Sequence, residues 1–328
     1  MTNKMKAMVA TGYGSPEVLQ FKEVNKPQPK ANEVLVKVMT ASATTADAMM
    51  RTGKPYFARL FIGLTKPKKG IPGTGFAGVV EQVANDVTNF QIGDRVFGET
   101  AFGFSSNAEY LTISEEGIIL PMPENLDFTE AANFCDGHLT SFNFLKEIVQ
   151  VKPNDKVLIN GASGALGTSA VQIAKHMGAH VTAVCSGRNT GLVKSLGADE
   201  VIDYQQKDFT KSGKRYDYVY DTIGKSSFSA CKSILTESGV YLSPVLKFSL
   251  LGQMILTSLF GKKKARFEAT GVNEEEKLRF MLSSVLDIYK EGGLKTVIDR
   301  QFPLEKLAEA HRYIDAGHKK GNVVIVTA

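Results

Sequence analysis

A glycine-rich turn between a predicted strand and a predicted helix constrains the fold of this chain more than any other feature. It reads Gly161-Ala-Ser-Gly164-Ala-Leu-Gly167 and follows the apolar strand pattern Lys156–Asn160. Helical spacing of apolar residues then runs from Gly164 to Met177. In such a turn Gly164 lets a ligand approach the backbone, and Gly167 lets the helix pack closely on the strand. The order of strand, turn and helix predicts a βαβ unit of a parallel sheet.

Strand and helix patterns continue to alternate after this turn. Helical spacing is also present before it, over Asp127–Val151, with a plausible N-cap at Asp127 or Thr129. Further strands are predicted at His180–Cys185, Val201–Tyr204, Tyr216–Asp221 and Gly239–Leu242, and further helices at Gly191–Leu196, Phe228–Leu235, Glu274–Tyr289 and Leu304–Ala316. Alternation of this kind predicts an α/β fold, a doubly wound parallel sheet with helices on both faces.

The first third of the chain has a different pattern. Short strands such as Glu33–Met39 and Gly78–Val83 are separated by turn residues, for example Ile92-Gly-Asp94. This pattern predicts a β-rich domain. A chain of 328 residues exceeds the size at which one core usually stops growing, so we expect two domains.

The composition excludes several classes of protein. Hydrophobic residues make up 43% and charged residues 22% of the chain, as in soluble globular proteins. The net charge of +5 is spread out and forms no dense basic stripe, so no nucleic-acid partner is expected. The apolar segment Val245–Phe260 is too short and too often interrupted by polar residues to span a bilayer. We predict no membrane partner and interpret this segment as a buried helix that lines a pocket or forms a subunit contact.

Three cysteines, Cys135, Cys185 and Cys231, cannot all pair, which favours a reducing compartment. The N-terminus has no long apolar run before a small-residue cleavage site. The expected location is the cytoplasm.

The glycine turn lies where parallel sheets of this kind bind the pyrophosphate of a dinucleotide. A ligand-free turn is the alternative. Cofactors without a 2′-phosphate are usually held by an acid about 20 residues after the glycines, and the chain has none there. The next strand instead ends in Cys185-Ser-Gly-Arg188, which suits the extra phosphate of NADPH. Alternatively, Arg188 is only a surface residue. Ser163 is interpreted as a phosphate donor rather than a nucleophile, because Gly-x-Ser-x-Gly spacing is absent.

No metal site is expected. The chain has no cysteine before Cys135 and no histidine before His138, and its five histidines show no paired metal-ligand spacing.

Several segments, in this order and spacing, resemble the zinc-independent quinone oxidoreductase branch of the medium-chain dehydrogenase/reductase family. The likeness covers nearly the whole chain. In zinc-bearing relatives a Gly-His-Glu motif supplies a metal ligand, and the matching positions here are Thr74 and Gly75. The segments are Met5–Met8, Gly12–Gly14, Ala41–Gly53, Ile71–Val80, Ile92–Phe97, Ala108–Tyr110, Leu139–Ser141, Gly161–Gly167, Leu196–Asp199, Tyr216–Gly224 and Gly321–Val324.

The resemblance implies a doubly wound Rossmann domain inserted into a GroES-like β-rich catalytic domain, with the active cleft between them. The expected limits are 1–125 for the GroES-like domain, 126–294 for the NADP-binding Rossmann domain, and 295–328 for a C-terminal segment that returns to the first domain. The resemblance also implies a homodimer.

The resemblance assigns two sets of site residues. Those expected to bind the cofactor are Thr140, Gly161, Ser163, Gly164, Ala165, Leu166, Ser186, Arg188, Tyr204, Lys320 and Asn322. Those expected on the substrate side are Thr44, Thr45, Asp47, Arg51 and Tyr56. Many relatives have asparagine at the position of Thr44. A structural ion pair at a helix end is the alternative for Asp47 and Arg51.

The function these patterns favour is NADPH-dependent transfer of hydride to a small electrophilic acceptor, a quinone or α,β-unsaturated carbonyl, without metal. A catalytically silent protein of the same fold that binds NADPH as a sensor or scaffold is the first alternative. A zinc-dependent alcohol dehydrogenase is the second.

Overall fold

Two compact units make up the chain in the computed structural model, which describes residues 3–54, 56, 59–68, 70–100 and 105–327. The first unit comprises residues 1–136, 271–283 and 296–328, and the second comprises residues 137–270 and 284–295. The second unit is therefore inserted in the chain of the first. The sequence puts the first boundary at residue 125 rather than 136, and those domain limits remain a prediction.

Strands and helices are numbered in chain order. The strands are β1 Lys4–Ala10, β2 Leu19–Asn25, β3 Glu33–Ala43, β4 Gly75–Val83, β5 Arg95–Glu99, β6 Tyr110–Ser114, β7 Ile118–Pro121, β8 Lys156–Asn160, β9 His180–Cys185, β10 Glu200–Asp203, β11 Tyr216–Asp221, β12 Leu235–Ser243, β13 Lys264–Phe267, β14 Ile298–Pro303 and β15 Asn322–Val326. The α-helices are α1 Thr45–Thr52, α2 Arg59–Ile62, α3 Phe128–Ala131, α4 Leu139–Phe142, α5 Ala165–His176, α6 Thr190–Ser195, α7 Phe228–Cys231, α8 Phe248–Phe260, α9 Glu275–Lys290 and α10 Leu307–Asp315. Two π-helical segments, Phe134–His138 and Asn143–Ile148, flank α4.

The second unit contains a six-stranded sheet in the order β10, β9, β8, β11, β12, β13, and every pairing in it is parallel. Its strands are buried on both faces, so apolar runs such as Val157–Ile159 are fully buried. The order reverses direction at β8, which places the switch point at the carboxyl end of that strand. The glycine turn begins there. The predicted doubly wound fold is confirmed.

The first unit contains, among its described residues, a larger sheet in the order β14, β15, β3, β4, β5, β7, with β6 paired to β3. Residues Val34, Val36 and Val38 of β3 are buried in its core, and Leu307 and Ile314 of α10 pack against them. The β-rich domain predicted from short strands separated by turn residues is therefore present in this unit.

Strand register brings four chain segments to one edge of this sheet. Ala43 at the end of β3 pairs with Val323 of β15, and Gly75 at the start of β4 pairs with Glu99 at the end of β5. Ala41 also pairs with Phe76. Thr44 and Thr100, which follow β3 and β5, and Thr74 and Gly321, which precede β4 and β15, therefore lie at this edge. We call it the polar edge.

Helix α8 differs from the predicted buried helix. Only Leu250 and Thr257 of it are buried, while Phe248 is 83% and Phe260 86% exposed. Burial within the unit was therefore a wrong prediction, and a subunit contact stays open. Among the described residues, none of the helices combines the length and apolar character needed to cross a bilayer.

Candidate functional site

The glycine turn of the second unit has room for a ligand at one position and none at another. Gly161 has a φ of 80°, which favours glycine. A Cβ on Gly167 would lie 2.2 Å from the carbonyl oxygen of Gly161, so helix α5 packs directly on the turn. A Cβ on Gly164 would have its nearest neighbour at 3.5 Å. The space beside Gly164 is therefore open.

The N-terminus of α5 faces this open space without a capping side chain. Gly164 is the N-cap residue, its helix has no acid in the first turn, and no side-chain hydrogen bond caps it. The first-turn amide groups and the positive end of the helix dipole are suited to phosphate oxygens. These features fit the pyrophosphate of a dinucleotide, held by the amides of Ala165 and Leu166.

A serine and an asparagine complete the turn. Asn189 donates through Nδ2 to Ser163 Oγ at 2.9 Å, and its own Oδ1 is buried with no hydrogen-bond partner. Since a buried polar atom without a partner is costly, a donor on a bound ligand would satisfy Asn189 Oδ1. Asn189 was missed by the sequence analysis, although it stands one residue after Arg188.

The predicted 2′-phosphate residues lie together at the ends of two neighbouring strands. Cys185 pairs with Asp203 across β9 and β10, so Ser186 and Tyr204 follow adjacent strand ends. Arg188 is exposed, and no acid among the described residues forms an ion pair with it. Its guanidinium is available to a phosphate.

Asp203 is an acid near this group that the sequence analysis did not weigh. A Cβ on Gly187 would lie 2.6 Å from Asp203 Oδ2, so the carboxylate packs against glycine backbone. Asp203 Oδ1 accepts from the backbone amide of Gln205 at 3.0 Å. An acid at this place suits ribose hydroxyls, whereas Arg188 suits a phosphate.

Thr140, predicted near the nicotinamide end, lies on α4 beside the start of α5. Its neighbour Ser141 donates to the carbonyl oxygen of Leu166 at 2.8 Å, which fixes α4 on the turn. His138 Nδ1 lies 2.7 Å from Ser169 Oγ, and burial lowers the pKa of this histidine to about 3. His138 is therefore neutral at physiological pH.

At the polar edge of the first unit, Thr44 and Asp47 form a capping box at the start of α1. The Thr44 hydroxyl and backbone amide both donate to Asp47 Oδ2 at 2.8 Å, and Thr44 Oγ1 accepts from the Asp47 amide at 3.0 Å. Asp47 Oδ1 is buried and has no hydrogen-bond partner. Burial raises the pKa of Asp47 to about 7, although the two bonds from Thr44 oppose that rise.

Three further ionisable residues surround Asp47, and the sequence analysis missed all of them. Burial, then the charges of Asp136 and Asp47, raise the pKa of Glu99 to about 8. Burial raises the pKa of Asp136, and Lys319 partly opposes this rise. Burial lowers the pKa of Lys319 against the attraction of Asp136, Asp299 and Asp47. We call Asp47, Glu99, Asp136 and Lys319 the carboxyl cluster.

Arg51 points away from the carboxyl cluster. It is 3% exposed, pairs with Asp315 at 2.6 Å and donates from Nε to His311 Nδ1 at 3.2 Å. Burial, with a smaller contribution from Arg51, lowers the pKa of His311 to about 3, so its imidazole is neutral and accepts this bond. These contacts tie α1 to α10. For Arg51 this geometry corresponds to the alternative of a structural ion pair at a helix end.

The remaining predicted residues take no part in the hydrogen bonds described above. Thr45 is exposed, and Tyr56 is 66% exposed with the Arg59 guanidinium 4.9 Å from its ring centroid. In the first unit, Asn322 is buried and donates through Nδ2 to the Val297 carbonyl oxygen at 3.1 Å. The backbone amide of Lys320 donates to Asp299 at 2.8 Å. In the part of the chain that the structure describes, no group of three or more His, Cys, Asp or Glu residues could hold a metal ion.

Known families and proteins are similar to this chain in sequence and in structure. Residues 30–124 match the alcohol dehydrogenase GroES-like domain, and residues 196–325 match the family model described as zinc-binding dehydrogenase. A chloroplastic quinone-oxidoreductase of Triphysaria versicolor is 34% identical over 98% of this chain and 98% of that protein. A chloroplastic NADPH-dependent alkenal/one oxidoreductase of Arabidopsis thaliana is 29% identical over 98% of this chain and 79% of that protein. The solved structure of the quinone oxidoreductase from Coxiella burnetii superposes with a TM-score of 0.87 at 29% identity, covering 99% of this chain and 100% of that one.

The chain belongs to the medium-chain dehydrogenase/reductase family, with relatives in its quinone oxidoreductase branch. It is an oxidoreductase, and the resemblance found in the sequence is confirmed.

Replacing Arg51 by methionine is expected to destabilise the first unit by about 2 kcal/mol, because hydrogen bonds to a charged group are lost. Urea unfolding measures the change, and the same substitution at exposed Lys54 is the matched control. Unchanged stability together with lost turnover would instead make Arg51 a substrate residue.

Proposed function

We propose that this chain is an NADPH-dependent oxidoreductase that reduces quinones or α,β-unsaturated carbonyls without a metal ion. The observation that carries the proposal is the uncapped N-terminus of α5 beside open space at Gly164, with the exposed cation of Arg188 on the same unit. The quinone oxidoreductase and alkenal/one oxidoreductase relatives support the class of acceptor.

The residues of the second unit would hold the cofactor by charge and by backbone amides. Ala165 and Leu166 would bind the pyrophosphate, Ser163 would donate to it, and Arg188 with Ser186 would bind the 2′-phosphate. Tyr204, 55% exposed, would flank the adenosine end. Thr140 would lie toward the nicotinamide. When bound, the reduced nicotinamide supplies the hydride, so the protein needs chiefly to bind and orient.

On the substrate side, the hydroxyl groups differ in availability. The Thr44 hydroxyl hydrogen is engaged by Asp47, so it is not available to an acceptor oxygen while that bond lasts. Thr45 and Tyr56 are exposed. We propose these two as the hydroxyls that bind the acceptor oxygen as negative charge develops on it.

The purified protein is expected to oxidise NADPH when given substituted benzoquinones or enones, and to keep this activity after treatment with a chelator. The loss of reduced-nicotinamide absorbance measures the rate. Binding of NADPH without turnover across the panel would favour the silent sensor or scaffold. Activity abolished by the chelator would favour a zinc-dependent dehydrogenase.

Replacing Arg188 by alanine is expected to raise the KM for NADPH about 10- to 100-fold, the value of a lost charge-assisted contact. The KM for NADH should change little, because NADH lacks the 2′-phosphate. Exposed Lys156, at the amino end of β8, provides a control substitution of equal charge. An equal rise in KM for both cofactors would contradict the assignment of Arg188 to the 2′-phosphate. Asp203 would then have the larger role in cofactor choice.

We further propose a homodimer built on one side of the second unit. Strand β13 ends the parallel sheet, and α8 beside it exposes a contiguous apolar face made of Phe248, Ile255, Leu256, Leu259 and Phe260. A second copy would cover both features. Light scattering should give the mass of a dimer, and Leu259→Glu should give a monomer. A wild-type monomer at micromolar concentration would refute this assembly.

The cytosol is the location we propose. The three cysteines are free and buried, which suits a reducing compartment.

A further inference from the structure

Strand register and the glycine at position 75 bring the residues of the carboxyl cluster together. Ser42, Gly75 and Glu99 form a row across β3, β4 and β5, since the Gly75 amide donates to Ser42 Oγ at 3.2 Å and Gly75 pairs with Glu99. A Cβ on Gly75 would lie 2.3 Å from the carbonyl oxygen of Ala132. The absent side chain therefore lets the segment that leads to Asp136 cross directly over this row. Asp136 and Glu99 come together for that reason.

The cluster cannot hold three charged carboxylates at low cost. Like charges in a poorly solvated site repel, and among the described residues Lys319 is the lysine that balances them. Asp47 receives two hydrogen bonds from Thr44, and Asp136 is attracted by Lys319. The carboxyl oxygens of Glu99 receive no hydrogen bond or ion pair from the residues that the structure describes. Glu99 is therefore the member that keeps a proton at neutral pH.

A ligand can reach this proton. Glu99, Asp136 and Lys319 each keep some accessible surface, whereas Thr44 and Asp47 are buried. The Asp47 residue is 1% exposed, and its Oδ1 atom is buried without a hydrogen-bond partner. A bound ligand could donate a hydrogen bond to Asp47 Oδ1 and accept the proton of Glu99. An unpaired buried acceptor together with an accessible acid is therefore the arrangement of a proton-donating site.

We propose that Glu99 is the proton donor of the reduction, with Asp136 and Asp47 as its neighbouring carboxyl groups. This inference rests on the proposed function. In the reduction of an enone, the β-carbon gains a hydride from the reduced nicotinamide, and the C=C electron pair moves to form an enolate. Glu99 O–H then breaks, its proton bonds to the α-carbon, and water reprotonates the glutamate. For a quinone the same proton goes to the oxyanion formed by hydride addition.

The test compares Glu99→Gln with Glu116→Gln, a matched change at an exposed glutamate of the same unit. The wild-type kcat should fall as the pH rises through about 8, because the donor loses its proton there. In Glu99→Gln, kcat should be about 10²- to 10⁴-fold lower, the usual contribution of general acid catalysis, and this fall near pH 8 should be absent. Asp136→Asn should move the fall to lower pH, since one repelling charge is removed.

The thermal stability of the cofactor-free protein gives a second readout. Folded Glu99 binds its proton more tightly than the unfolded chain does, so wild-type stability should decline from pH 5 to pH 8, between the ordinary pKa of about 4.5 and the folded value of about 8. Glu99→Gln should remove part of this decline, and Glu116→Gln should not.

The outcomes separate the two proposals. An active wild type with a Glu99→Gln variant of unchanged pH profile would overturn the donor role and leave the proposed function standing. A folded wild type that reduces no acceptor would refute the proposed function, and the donor role with it. A pH-stability curve unaltered in Glu99→Gln would also overturn the donor role, because Glu99 would then hold no proton at neutral pH.

Discussion

The direct packing of helix α5 on the end of strand β8 is the constraint on which the second unit depends. Gly167 permits it, since any side chain there would meet the carbonyl oxygen of Gly161. This closeness leaves the first helical amides pointing at open space rather than at a side chain. An anion is the partner that such a helix end binds best. In the proposed function, cofactor binding is therefore a consequence of backbone geometry, and Arg188 would set the choice among cofactors.

The ionisable residues of the first unit are brought together in a different way. Here antiparallel register, rather than one contiguous motif, brings residues from distant parts of the chain to the polar edge. The result is a group of carboxyl groups whose negative charges Lys319 alone cannot balance among the described residues. Such an arrangement costs stability, and sites that carry such costs are commonly functional. Asp47 belongs both to this group and to the capping box with Thr44 that begins α1.

The sequence predicts an element or a site residue well where neighbouring residues in the chain determine it, and poorly where tertiary packing or strand pairing does. The bounds of β8, β9 and β11 match the predictions. In β8 the reason is the continuous apolar run Val157–Ile159, which is typical of a parallel strand covered on both faces. The predicted helix over 127–151 begins with Asp127 as N-cap but breaks into α and π segments. A Cβ on Gly137 within it would meet Ser169 of α5 at 2.8 Å, so tertiary packing overrides helical spacing there. Glu99, Asp136 and Lys319 were missed because no local pattern encodes which strands pair. The α8 surface was misjudged because apolar spacing does not reveal what covers a face.

The binding of a phosphorylated dinucleotide at α5 is the claim that calorimetry tests most directly. Wild-type protein titrated with NADPH should bind it in the micromolar range. Gly164→Val should fold normally, because a Cβ there meets nothing closer than 3.5 Å, yet lose binding by filling the open space. Gly252→Val on exposed α8 should bind as the wild type does. No detectable heat with NADPH or NADH at millimolar concentration, or equal affinity in Gly164→Val, would contradict the account.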